Sequence, residues 1–454
     1  MDRGARGAVS PDACLLLIAL AAIVALIALI ARAKLHPFVA LVGVSILTGL
    51  ASGMDAPQVL KSLQDGVGAA LGFIAIVVAL GTMLGKIMAE SGGAARIAET
   101  LIGVFGPARV RWAVLLVAFI VGIPVFFQVG FVLLFPLVLA VARETRTPLL
   151  LVGLPLLAGL STVHALVPPH PAAMLAVTTF GADVGRTILL ALVVGLPAAA
   201  LAGPVYARWI APRITLPDES PMSAQFAEHA ERAKPAFGVT LFTVLLPVLL
   251  MLAASAGELW LPAGSGLRRS LALVGSPVVS LLLALLVSFF TLARAQRFTR
   301  AQLLAFTNDC LAPTAGILLI IGAGAGFNRI LLDSGVGAAI ARVATQAALS
   351  PLVLAFLVAA LVRIATGSAT VAMTTAAGLV APLAAGTPGT SRELLVLATG
   401  AGSVVLSHVN DSGFWLVKEY FGLSVPQTLQ TWTVLETILG VTAFAGVLVL
   451  DAIR

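Results

Sequence analysis

An all-α polytopic membrane protein, built from two inverted repeats of about five crossings and one re-entrant hairpin each, is the fold this sequence predicts. Three observations lead there. Of 454 residues, 60% are hydrophobic and 10% charged, and mean hydropathy is +1.08; a soluble domain carries roughly 25% charged residues. Apolar runs of about 20 residues, the length a helix needs to cross roughly 30 Å of hydrocarbon, recur along the chain and lack the strict alternation of transmembrane β-strands. Finally, the two halves of the chain repeat one another.

In chain order, a tail (1–11) leads to helices near 13–33 and 37–53. The first is too long for a signal peptide, lacks a small-residue cleavage site and is followed at once by a second span, so it reads as a true helix. An amphipathic stretch (56–68, with Lys61 and Asp65) leads into a helix near 69–90, then a short surface helix to about 105. The run 112–142 is interrupted by GIPVFFQVG (122–130) and the run 149–185 by HALVPPHP (164–171). A helix at 186–208 precedes the one long polar segment, read as a cytoplasmic linker (211–235) between repeats 12–210 and 236–454.

The repeat is legible where GTMLGKIMAESGGAARIA (81–98) meets GAGFNRILLDSGVGAAIA (324–341), matching Ser91-Gly92 with Ser334-Gly335. Likewise HPAAMLAVTTFGADVGRT (170–187) meets DSGFWLVKEYFGLSVPQT (411–428), pairing Phe180-Gly181 with Phe421-Gly422 and His170 with Asp411. Orientation follows from charge. Basic pairs such as Arg32/Lys34, Arg109/Arg111, Arg143/Arg146 and Arg294/Arg297 belong on the cytoplasmic side. Arg109/Arg111 and Arg143/Arg146 flank one apolar run yet share a side, so that run enters and returns as a hairpin with its tip near 122–130. Five crossings per half then invert the second half, whose hairpin spans about 351–382 with its tip at RIATGSAT (363–370). Arg3 and Arg6 fall outside, against the rule.

The same charge pattern excludes a nucleic-acid partner. The net charge is +7, but it lies in short loops, as topology alone requires. Cys14 and Cys310 sit within apolar runs, so no structural disulfide is expected. There is no GxSxG, no HExxH and no Cys/His metal spacing, hence neither an enzyme motif, a metal nor a cofactor. GAGAG (322–326) has no βαβ unit to make it a dinucleotide loop and reads as close helix packing. Lys86, Glu90, Arg329, Lys418 and Glu419 read as snorkelling or paired residues near span ends.

Polar interruptions at membrane depth are tolerated only where protein or a water-filled cavity covers them, and broken helices in paired repeats mark transporter binding sites. Four occur: 122–130, 161–171, 363–370 and 403–413. Helix breaks expose N–H groups that attract anions, and Arg363 adds a fork matched to carboxylate. Arg363 could instead pair with a protein carboxylate and simply hold the tip. The hydroxyls Thr366, Ser368 and Thr370, together with Gln128, are candidate substrate contacts, although Ser and Thr also satisfy freed backbone at breaks. His170, Asn410, Asp411 and Ser412 complete the binding set. For proton coupling the candidates are His164, His170, His408 and Asp411, ionisable groups placed inside spans whose imidazoles titrate near neutral pH.

With these residues in view, the chain resembles the gluconate permease family, the gluconate:proton symporters of the wider ion-transporter superfamily. The resemblance spans essentially the whole chain and is carried by GKIMAESGGAARIAETLI (85–102), GIPVFFQVGFVLLFPL (122–137), HALVPPHPAAM (164–174), RIATGSATVAMTT (363–375) and SHVNDSGFWLVKEYF (407–421). It implies a multi-pass protein of the bacterial inner membrane, a homodimer, and elevator-like movement. The implied activity is import of gluconate or a similar sugar acid with protons. The close alternative is the same fold carrying D-serine or a dicarboxylate, coupled to sodium. An intramembrane enzyme would place its catalytic cluster at the interface rather than at paired mid-depth breaks, and the chain has no nucleotide-binding domain.

Overall fold

A computed structural model of the chain describes residues 10–122, 126–168, 170–216, 234–262, 264–309, 311–345, 349–385 and 389–454. Positions 123–125 of the first expected hairpin tip, most of the expected linker, most of the N-terminal tail and Cys310 lie outside the described residues. Every regular element described is a helix. The first half contains α1 (Pro11–Ala31), α2 (Pro37–Ala51), α3 (Ala56–Glu90), α4 (Gly93–Phe105), α5 (Val110–Gly122), α6 (Phe127–Thr145), α7 (Leu149–Leu166), α8 (Pro171–Phe180) and α9 (Val184–Ala200). The second contains α10 (Phe237–Trp260), α11 (Gly266–Val274), α12 (Pro277–Ser288), α13 (Arg300–Asp309), α14 (Leu311–Asp333) and α15 (Val336–Thr345). It continues with α16 (Pro351–Thr366), α17 (Ala369–Ala385), α18 (Arg392–Gly402), α19 (Ser412–Phe421) and α20 (Val425–Ala452).

Among the described residues, seven helices are long and apolar enough to cross a membrane, or nine if the bent pairs α4–α5 (117°) and α11–α12 (68°) each count as one span. The protein is a multi-pass helical membrane protein. Its innermost helices are α6 and α7, each 83% buried and apolar all round, as befits helices enclosed by others.

Three elements differ from the sequence expectation. The stretch 56–90 is one continuous helix, because Asp55 closes a capping box with Gln58 and no breaker follows. Its inner face then runs along α14, and a Cβ at Gly66 would stand 2.6 Å from the Ala325 carbonyl oxygen. Small residues let these backbones approach; Gly322 and Gly326 of the GAGAG stretch pack against Leu63, Val67 and Leu71 of α3. Second, α4 is not a surface helix: Gly93, Ala94, Ala95, Ile97 and Ala98 are buried, largely against α6. Third, the helix expected at 186–208 starts at Val184, where Asp183 caps the Arg186 N–H at 2.7 Å, and runs on through a π turn (Leu201–Val205) to Ile210. Lys86 pairs with Glu90 at 2.8 Å and Lys418 with Glu419 at 2.7 Å, as their positions suggested.

The aligned stretches fold alike locally. Ser91-Gly92 and Ser334-Gly335 form the same turn: each serine hydroxyl donates to the carbonyl three residues earlier, and each glycine has positive φ (74° and 84°). The ten-residue helices α8 and α19 both begin after a break, with His170 and Asp411 at the N-cap, and both end on a left-handed glycine, Gly181 or Gly422. An aromatic seam joins the halves: Phe127 lies 5.0 Å from Trp432, Phe131 5.0 Å from Tyr420 and Phe135 5.4 Å from Phe421.

Candidate substrate site

The stretch 351–385 breaks between α16 and α17 where its sequence cannot continue a helix. The α16 helix ends on Gly367 at φ +66°, in the left-handed conformation glycine adopts without penalty. A Cβ here would also stand 2.3 Å from the Asn410 carbonyl oxygen, so two broken segments touch backbone to backbone. The exposed carbonyls at the α16 terminus are met from across that contact. Asn410 Nδ2 donates to the carbonyls of Ile364 (2.9 Å) and Ala365 (3.1 Å), and His408 Nε2 lies 2.9 Å from the Ile364 oxygen. Asn410→Ala would strip the Ala365 cap and one of the two on Ile364. A cost of about 1–3 kcal/mol is expected from the orphaned acceptors, readable as a lower unfolding midpoint in detergent.

Arg363, 3% exposed, lies one turn before the break. Its Nη2 donates to Asp411 Oδ2 at 2.5 Å, Nη1 donates to the Gly367 carbonyl, and Nε is buried without a partner. The opposite charge that sequence alone left open is thus Asp411, from the other break. Asp411 also accepts from the Ser407 hydroxyl and, through Oδ1, from the Gly413 N–H at 2.9 Å, capping α19. Ser407 in turn accepts from Trp432 Nε1 at 2.7 Å and is held through its carbonyl by the Thr433 hydroxyl. Those two residues belong to a π turn (Leu429–Thr433) in α20, a distortion common at functional sites. Leu406, within the 403–411 break, has φ +52°, a conformation costly for a branched side chain.

Between the breaks lies a cavity of about 270 Å³. It is lined at three places by the first residues of half-helices: Phe126–Gln128 of α6, Ser368–Thr370 of α17 and Asp411–Gly413 of α19. The α6 terminus carries no side-chain cap, so its first N–H groups are not spent on one. Helix N-termini carry partial positive charge, so the cavity offers several positive ends beside an Arg–Asp pair whose formal charges cancel.

Of the residues singled out from sequence, Gln128, His164, Arg363, Ser368, Thr370, Asn410, Asp411 and Ser412 line this cavity. Gln128 Nε2 donates to the Ser412 hydroxyl at 3.3 Å, bridging the start of α6 to the last break. Three lie behind it. Thr366 is fully buried and spends its hydroxyl on the Val362 carbonyl at 2.8 Å. His170 stands behind His164, with Nε2 3.0 Å from His164 Nδ1 and its ring against Phe126. His408 holds the α16 terminus instead. Pseudo-symmetry suggested His170 opposite Asp411; each occupies the N-cap position of its own half-helix, where only Asp411 makes a side-chain capping bond, and their side-chain partners are His164 and Arg363. Sequence reasoning missed Ser161, Asn328, Trp432 and Glu436, which line the same cavity. Glu436 carried a usable signal, as an acidic residue inside a long apolar helix. Among the described residues, no group of His, Cys, Asp and Glu could hold a metal ion.

A cavity bounded by broken helices inside a multi-pass membrane protein is the arrangement of a membrane carrier. Residues 14–453 match the model of the GntP family permeases, and the chain belongs to that family. It is 52% identical to the gluconate permease of Pseudomonas aeruginosa over 98% of this chain and 99% of that protein. It is 43% identical to the Gnt-II system L-idonate transporter of Escherichia coli (92% and 95% covered) and 38% identical to a D-serine transporter of the same species (96% and 97%).

Proposed function

We propose that this protein imports gluconate, or a closely similar sugar acid, across the bacterial cytoplasmic membrane by proton symport. The observation that carries this reading is the convergence of three half-helix N-termini on one cavity beside Arg363. A carboxylate suits the N–H groups and the guanidinium, and hydroxyls suit Gln128, Ser368, Thr370, Asn410 and Ser412. At about 270 Å³, the space sits just under the roughly 300–1,000 Å³ of small-molecule sites, which favours a small solute over a peptide. The names of the relatives agree, two being gluconate and L-idonate carriers. Of the imidazoles, His164 lines the cavity with His170 behind it, placed to pass protons to and from the cavity; His408 and Asp411, in this reading, chiefly hold the breaks together.

In the same reading the halves 12–210 and 236–454 are inverted repeats, α5–α6 and α16–α17 are re-entrant hairpins, and a homodimer scaffold carries an elevator-like transport unit. The matched serine–glycine turns and the paired ten-residue half-helices support the repeat.

The test is uptake of labelled gluconate into liposomes holding the purified protein, under an imposed proton gradient with and without sodium. Accumulation driven by inward protons alone is expected. Accumulation only with sodium would favour the oxygen-rich breaks as a cation site. No uptake under either gradient would turn the search to D-serine and dicarboxylates. Gln128→Ala removes one polar contact to the solute, worth about 0.5–1.5 kcal/mol. It is expected to raise the gluconate KM up to about tenfold, with the elution profile of the purified protein unchanged.

A further inference from the structure

We propose that Glu436 is the carboxyl group that takes up the co-transported proton. The inference rests on the symport reading above and names the residue for it. Glu436 lies on α20 directly after the π turn, is 1% exposed, and lines the same cavity as Arg363, Asn410 and Asp411. Oε1 of its carboxyl is buried with no hydrogen-bond partner, and Ser161 of α7 lines the cavity close enough to act on that carboxyl. No lysine or arginine among the described residues forms an ion pair with it, because the facing cation, Arg363, is engaged by Asp411.

A carboxylate withdrawn from water without a cation or a full set of donors is unstable as an anion. A proton on Oε1 removes the charge and converts the idle oxygen into a donor. Opening that cavity to water reverses the preference, and the proton leaves. The other ionisable groups are less suited. Asp411 is already committed to Arg363, Ser407 and the Gly413 N–H, and a proton there would compete with the pair that joins the two breaks. His164 faces the cavity with Glu436 but has His170 as its partner. The charges on the other helices packed on α20 are placed or paired elsewhere: Arg186 of α9 and Glu393 of α18 gather by Leu450 and Arg454, at the far end of α20, Lys418 of α19 pairs with Glu419, and Asp12 of α1 pairs with Arg342. Thus Arg363, Asp411 and His164 are the charged or titratable groups that Glu436 faces.

The test is Glu436→Gln in liposomes, with two readouts. The parent protein should both exchange labelled for unlabelled gluconate and accumulate it under an inward proton gradient. Glu436→Gln should exchange but lose accumulation, and Glu436→Asp should regain it. Accumulation by Glu436→Gln equal to the parent's overturns the proposal, as does loss of exchange in a monodisperse Glu436→Gln protein, which would make the residue a substrate contact. Should Glu436→Gln fail to fold, Ser161→Ala takes its place. Losing the hydroxyl near the carboxyl should shift the pH midpoint of accumulation upward, and an unmoved midpoint overturns the proposal. If the parent moves no gluconate, the symport reading fails by itself. Glu436 is then judged from the infrared carboxylic-acid band at neutral pH, expected in the parent and absent from Glu436→Gln; a band unchanged by the substitution overturns the proposal.

Discussion

Arg363→Ala is expected to abolish gluconate binding and to destabilise the protein by about 3–5 kcal/mol, the usual consequence of stripping one partner from a buried ion pair. The cause is Asp411, which would keep its charge in a site 7% exposed with only the Ser407 hydroxyl and the Gly413 N–H beside it. Stability and binding separate in the double variant Arg363→Ala/Asp411→Asn. Removing both charges should recover most of the unfolding midpoint, because a paired deletion leaves no orphaned charge. Gluconate binding, followed by equilibrium dialysis, should stay lost in both. Normal binding by either variant would remove Arg363 from the ligand set and leave it as a strut between the hairpin and the last break.

Gly367→Ala should be nearly as damaging, for a steric rather than an electrostatic reason. A left-handed conformation costs an L-residue roughly 1–2 kcal/mol, and here a Cβ would also stand 2.3 Å from the Asn410 carbonyl oxygen. Gly335 supplies the control: its φ is +84° and nothing lies within 4 Å of the added carbon. Gly335→Ala should therefore show the backbone cost alone. The excess loss of unfolding midpoint in Gly367→Ala reports the contact between the two breaks, and uptake should vanish in Gly367→Ala while persisting in Gly335→Ala. Equal shifts in the two would mean that the hairpin tip can back away from Asn410 freely.

Much of this protein was determined by sequence alone. A chain with 10% charged residues leaves the bilayer as its solvent, and hydrocarbon admits few backbone solutions besides helices. The breaks were legible because Gly, Pro, His and Asp cannot be placed at membrane depth without covered space around them, so Gln128, Arg363, Asn410, Asp411 and Ser412 stood out by chemistry before any contact was known. The helix 56–90 was read as an amphipathic stretch followed by a separate helix because the partner of its first turns, α14, lies some 270 residues away, as the Ser62–Asp333 hydrogen bond shows.

What the tertiary structure decided was pairing. Sequence spacing states which residues share a helix, not which helices meet, and so could not choose a partner for Arg363 among the carboxylates. It could not foresee that Thr366 turns inward to its own backbone, or that His408 would serve the α16 terminus rather than the cavity. Glu436 was overlooked for the same reason. One acid in an apolar helix takes its meaning from what surrounds it, and its idle oxygen, its Ser161 neighbour and the occupied Arg363 come from three different helices. Local chemistry governs where the chain must break; packing across helices far apart in the chain governs what each break then holds.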